Sequence, residues 1–261
     1  MSLRGLFTFR GQSSSRTDAV MAVVAFILFV GLWYLLAHFE VVPQRFLPLP
    51  SAVVVALYDM LVHGDFMSDI GISVARVWAA FLLSVIMAVP LGIWMSSYRI
   101  VGTLSEPIID FIRYLPVPAL VPLLIIWLGI EEASKVAVLW MGTFFQLVLL
   151  IADDAKRVPR EFVEIGYTLG AKNRQILKDI VWRAMLPSTI DNFRITLGWC
   201  WTYLIIAEIV AANSGIGHAI WSMRRFVKTP EVMAGILTVG IIGLVTDQLI
   251  RYAHRRWFRY L

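Results

Sequence analysis

Apolar and polar positions fall along this chain in long blocks, not in the short periods of a soluble domain. Ala19 to Ala37 runs nineteen residues without a charge, enough for a helix to cross a hydrocarbon core about 30 Å thick. Val77 to Tyr98 and Val136 to Ala152 are also uncharged. Ile190 to Ala212 carries Arg194 near its start and Glu208 near its end, and Val232 to Ile250 carries Asp247. The remaining block, Ile108 to Ile130, places Pro116, Pro118 and Pro122 within seven residues. Prolines this close remove backbone donors that lipid cannot replace. A broken span is tolerated only against other helices or along a water-filled path. Six spans are therefore predicted, the third of them broken.

The segments between the blocks are polar. Residues 39–73 hold Pro43, Pro48 and Pro50, with Ser51 as the expected cap of an amphipathic helix on the outer face. Pro90 and Gly92 predict a kink in the second span. The longest polar stretch is Val158 to Ser188. Lys156, Arg157, Arg160, Lys172, Arg174, Lys178 and Arg183 fall in or just before it, with Glu161, Glu164 and Asp179. A short helix over Glu161–Leu169, a turn at Gly170, and a second helix over Ala171–Met185 closed by Pro187 are expected. Ile176, Leu177, Ile180 and Val181 recur at helical spacing. The segment reads as a helix–Gly–helix hook with an apolar ridge, built to dock.

Composition agrees. The chain is 59% hydrophobic and 16% charged, against about 25% charged in soluble domains. The net charge of +5 does not point to nucleic acid, because Lys and Arg cluster between the apolar blocks. With both termini on one side, and Arg76, Arg113 and Arg194 near span ends left uncounted, that side holds fifteen Lys and Arg and the other holds five. This places the termini and the hook in the cytoplasm. The first block is read as a retained signal anchor, since Leu36-Ala37-His38-Phe39 offers no small-x-small cleavage site. Trp33, Trp94, Trp127, Trp140, Trp221 and Trp257 lie near predicted span ends, as interface aromatics do. The single Cys200 excludes an intrachain disulfide and reads as core packing. No phosphate-binding loop or hydrolase motif is present, so ATP chemistry would belong to another chain.

Several polar residues admit two readings. Asp110 and Arg113 form either an i,i+3 pair near the surface or the mouth of a wet path. Glu208, deep in an apolar stretch, either faces that path or bonds to groups near Asn213 and Ser214. Gln146 is either path lining or interhelix glue. Asp247 and Arg251 suit an i,i+4 pair. His218 reads as structural. Arg224, Arg225 and Lys228 form a basic cluster on the outer side that either draws anions, meets a partner or is simply solvated.

The hook resembles the loop of the inner-membrane permease subunits of bacterial binding-protein-dependent ABC importers. Their Glu-Ala-Ala, three residues, Gly pattern appears here as Glu164-Ile165-Gly166, Tyr167-Thr168-Leu169, Gly170. Both alanines are replaced, and Trp182-Arg183 stands where a Leu-Pro is expected, with Leu186-Pro187 following. FLPLPSAV (46–53), RYLPVPALVPLLIIWLGIEEASK (113–135) and FRITLGWCWTYLIIAEIVAANSGIGHAIW (193–221) are similar to the nitrate/sulfonate/taurine branch.

The resemblance implies an all-α membrane protein of the type I ABC importer permease fold in the bacterial inner membrane. Its six transmembrane helices would span residues 19–261 after a cytoplasmic segment 1–18, with a coupling loop at 153–189. It implies a second permease copy, a dimer of ATP-binding cassette subunits holding ATP and Mg, and a periplasmic or lipid-anchored substrate-binding protein. Nucleic acid is not a partner, membrane lipid is, and the chain itself would hold no cofactor or metal. Coupling would use Glu161, Glu164, Gly166, Leu169, Gly170, Ala171 and Arg174. Arg113, Pro116, Pro118, Gln146 and Glu208 are the candidates for the path. The solute would be a small anion such as nitrate, bicarbonate or an organic sulfonate such as taurine. A self-sufficient secondary transporter or channel is the alternative. That reading needs paired intramembrane carboxylates and inverted repeats, and the sequence offers one deep carboxylate and no convincing repeat. A membrane-embedded enzyme would need a catalytic constellation, and none is visible in the sequence.

Overall fold

The computed structural model describes residues 15–258, so Arg4, Arg10 and Arg259 of the charge count lie outside it. Among the described residues the chain is helical, without strands. In order it forms α1 (Ser15–His38), α2 (Pro50–His63), α3 (Phe66–Ser97), α4 (Arg99–Arg113), α5 (Val117–Leu128) and α6 (Glu132–Lys156). Then come α7 (Arg160–Thr168), α8 (Asn173–Gln175), a π-helical stretch (Ile176–Val181), α9 (Trp182–Ala211), α10 (Ile216–Arg225) and α11 (Thr229–Trp257). Among the described residues, five helices are long and apolar enough to cross a membrane, and the bent pair α4–α5 makes six when taken as one span.

The centre is a three-helix packing of α3, α6 and α9. Leu139, Leu147, Ile151, Leu197, Cys200 and Leu204 are fully enclosed between them. Association in lipid depends on close packing and interhelix hydrogen bonds, because hydrocarbon is as apolar as leucine. Both occur here. Gly92 lets α3 lie directly on α6: a Cβ there would stand 2.8 Å from Ile151 Cβ and from the Val148 carbonyl. About two turns earlier in α3, the Ser84 and Thr143 hydroxyls meet at 2.8 Å. α1 stays peripheral, with Phe26, Ile27, Leu28 and Phe29 facing outward and the Trp33 indole donating to the Pro48 carbonyl at 3.0 Å.

Several expectations change. α3 begins at Phe66, well ahead of Val77, so Arg76 lies inside a helix and not at its edge. The helix runs through Pro90 and Gly92 without interruption, and Gly92 serves the close approach of α3 to α6. Ser51 caps nothing: Leu49 takes the N-cap place, and Pro50 starts α2 with its preset φ and its dispensable donor. Pro187 does not end a helix either, since α9 continues through it to Ala211. The carbonyl it frees belongs to Arg183, a residue exposed at the hook end where water can take the bond. Trp140 is half-buried and stacks on Phe144 with ring centroids 4.6 Å apart.

Candidate functional site

The broken span forms one wall of a cavity. α4 and α5 meet at 101°. The break follows from its prolines: Pro116 adopts an extended ψ of 109° as N-cap of α5, and Pro118 fills its first turn, where no donor is needed. Arg113, Leu115 and Val117 from this corner, Gly142, Phe145 and Gln146 from α6, and Trp199, Thr202 and Tyr203 from α9 line a cavity of about 240 Å³. Arg113 and Gln146 thus come together there. Pro116 stands between two lining residues, and Pro118 follows directly after Val117.

Arg113 is oriented by its neighbours. Its Nε donates to Asp110 at 2.9 Å and its Nη2 to the Tyr114 hydroxyl at 3.1 Å, and the guanidinium carbon stands 4.5 Å from the Tyr114 ring centroid. The Asp110–Arg113 pair of the i,i+3 reading therefore exists, and so does the cavity beside it. Nη1 of Arg113, the Gln146 amide and the Tyr203 hydroxyl have no hydrogen-bond partner among the described residues. Three polar groups around one cavity thus retain hydrogen-bonding capacity for something that enters it.

Glu208 is elsewhere. It lies in a charge knot that joins α3, α6, α9 and the start of α10. Its Oε1 accepts from Ser73 Oγ at 2.7 Å and from Arg76 Nη1 at 2.7 Å, and its Oε2 accepts from the Gly217 amide at 2.7 Å. Arg76 also grips Glu132 in a bidentate pair, both contacts at 2.6 Å, and donates to the Ser214 carbonyl at 2.8 Å. Lys135 reaches Glu132 at 3.0 Å. Gly215, at φ +109°, closes against this knot, because a Cβ would collide with the Glu208 carboxylate and stand 2.7 Å from Arg76 Nη1. Glu208 deep in one apolar block and Arg76 directly before another, 132 residues apart, carried no mark of this pairing, which required the fold.

The opposite end of the bundle carries the hook. α7 has the expected extent, and Gly170 turns the chain at φ +81°. The ridge differs from expectation. Ile176 and Val181 are buried with Met185 in the core of the chain itself, with Leu177 and Ile180 against them. Gly166 is buried because Ile176 and Ile180 lie over it. The ridge therefore docks α7 onto its own bundle. The side chains left outward are those of α7 and its turn: Phe162, Ile165, Tyr167 and, at 81% exposure, Leu169. Glu161, Glu164, Gly170 and Arg174 are exposed beside them, and Ala171 is half-buried. Beneath the hook, buried Asp154 accepts from Thr189 Oγ1 at 3.2 Å and from Asn192 Nδ2 at 2.8 Å, tying α6 to α9. Arg194 ties α9 to α11 through Asp247 at 2.8 Å, a stronger bond for that carboxylate than the expected Arg251 contact at 3.5 Å.

Comparison with known proteins gives a consistent answer. Residues 80–259 match the family model described as binding-protein-dependent transport system inner membrane component. A probable ABC transporter permease protein of Brucella melitensis is 33% identical over 92% of this chain and 96% of its own length. The taurine transport system permease protein TauC of Escherichia coli is 28% identical over 92% and 89%. Among solved structures, a chain of the MetNI methionine ABC transporter in inward-facing conformation superposes with a TM-score of 0.61 at 17% identity. The match covers 75% of this chain and 95% of that one.

Proposed function

Because this chain belongs to the binding-protein-dependent transport system inner membrane components, in their nitrate, sulfonate and taurine branch, and is a multi-pass permease of an ABC importer, we propose that it carries a small anion through the cavity at the α4–α5 corner. The observation that carries this reading is Arg113, a cation with an unpaired Nη1 beside the unpaired Gln146 amide in one cavity. An oxyanion offers several acceptors to such donors. Taurine, the solute named for one relative, has an anionic head of this kind.

ATP and Mg would be held by partner subunits, and α7 would be the contact with them. Its outward face combines large apolar side chains (Phe162, Ile165, Leu169) with Glu161 and Glu164, which have no intrachain ion pair among the described residues. A groove lined with apolar and basic groups would fit it. The Lys and Arg distribution supports a cytoplasmic position for that face. The second copy of the chain and a binding protein outside complete the assembly we propose.

The test uses Gln146→Cys and Thr202→Cys in a Cys200→Ala background of the assembled transporter. Modification of either thiol by a water-soluble reagent should abolish anion uptake, and an excess of transported anion should slow the modification. Uptake that survives full modification of both positions would remove the cavity from the path.

A further inference from the structure

Tyr203 and Gly142 face one another across the cavity wall in an unusually close contact. An ideal Cβ built on Gly142 would fall 2.6 Å from Tyr203 Cε2 and 2.8 Å from Cγ, with Cδ2 nearer still. The phenol ring therefore packs against the bare backbone of α6 at Gly142. Any side chain at 142 would have to displace it.

Neither helix can retreat to make room. Behind Gly142, α6 is fixed by Leu139 and Thr143, both fully buried, and by the Thr143–Ser84 bond to α3. Behind Tyr203, Cys200 and Leu204 are at zero exposure in the same core. The free volume next to the ring is the cavity that Tyr203 itself lines. A displaced ring would swing there, toward Gln146 and Thr202.

We infer that the Gly142–Tyr203 contact sets the bore of the permeation cavity, with Tyr203 as the steric gauge and Gly142 as the recess that holds its ring back. This rests on the reading of the cavity as the solute path. It assigns Tyr203 a size-selecting role, separate from the polar recognition by Arg113 and Gln146. A packed wall of this kind is intolerant of even one added methyl group, because neighbours must leave their preferred rotamers to accept it.

The experiment measures access to the cavity, so it does not depend on knowing the solute. Gln146→Cys is placed in a Cys200→Ala background of the assembled transporter in membrane vesicles. It is then reacted with two methanethiosulfonate reagents, one small and one bulky. Adding Gly142→Ala should slow the bulky reagent about tenfold, a factor within the range expected for one forced methyl in a packed contact, and slow the small one less. Adding Tyr203→Ala to that variant should restore the rate, whereas a general packing defect would be deepened by a second cavity-forming change. Tyr203→Ala alone should speed the bulky reagent. Rates unchanged by Gly142→Ala, or slowed and not restored by Tyr203→Ala, would overturn the gauge while leaving the path intact. A cysteine at 146 that no reagent reaches in any variant would overturn the path reading, and the gauge with it.

Discussion

Removing the buried Arg76 should be strongly destabilising, and the size of the loss follows from the two carboxylates it serves. Glu132 keeps Lys135 at 3.0 Å, and its side chain is 59% exposed. Its loss of Arg76 is that of a surface pair, about 0–1 kcal/mol. Glu208 is at zero exposure. In Arg76→Met it would keep the Ser73 hydroxyl and the Gly217 amide but no cation. Stranding a buried carboxylate in this way costs about 3–5 kcal/mol. The Ser214 carbonyl, which also accepts from Arg76, would lose its bond to the guanidinium as well. The double variant Arg76→Met/Glu208→Gln removes both charges together and should recover most of the loss, since neutral replacement of a buried pair is often nearly neutral. Unfolding of the parent chain, Arg76→Met, Glu208→Gln and the double variant by SDS in mixed micelles, followed by circular dichroism, gives the free-energy changes and their coupling. A loss under about 1 kcal/mol for Arg76→Met, or a double variant as unstable as the sum of the singles, would refute the knot as a coupled buried pair.

Four further outcomes are expected. Gly92→Ala forces a methyl against Ile151 and the Val148 carbonyl and should cost about 1–3 kcal/mol. Gly240→Ala, where a Cβ meets nothing within 4 Å, should change stability by less than about 0.5 kcal/mol in the same unfolding assay. Asp154→Ala leaves Thr189 and Asn192 without their acceptor and should cost about 1–3 kcal/mol, seen as a lower midpoint in thermal unfolding. Gly170→Pro cannot meet φ +81°. It should leave the chain in the membrane at normal abundance on immunoblots while abolishing uptake, and uptake at the unmodified level would exclude a coupling role for this turn.

The sequence made the spans legible because burial in lipid needs long uncharged blocks, a signal carried by each block alone. The broken third span could be read for the same reason, since three prolines within seven residues have a local consequence. What escaped was everything set by helices meeting. Val77 looked like a boundary because Arg76 precedes it, yet the arginine is carried inside α3 by carboxylates on two other helices. The apolar ridge of Ile176, Leu177, Ile180 and Val181 was visible as a pattern, but periodicity states that a face is covered without stating by what. Here the cover is the chain's own core, so the docking face falls to Phe162, Ile165 and Leu169. Gly142 and Tyr203 carried no mark of their contact, although a glycine in the middle of an apolar block was a hint of close approach. Pro187 misled because a proline costs a helix one hydrogen bond and crowds one carbonyl, and α9 runs on through that defect to Ala211.

The measurement that bears most directly on the account is affinity purification of the tagged chain from membranes in mild detergent, with mass spectrometry of its companions and reconstitution of the purified complex. A stoichiometric ATP-binding subunit is expected. It should be lost when Phe162, Ile165 and Leu169 are replaced together by serine in a chain that stays folded, and anion uptake into liposomes should require ATP. A chain that purifies alone and moves the anion without ATP would contradict the account.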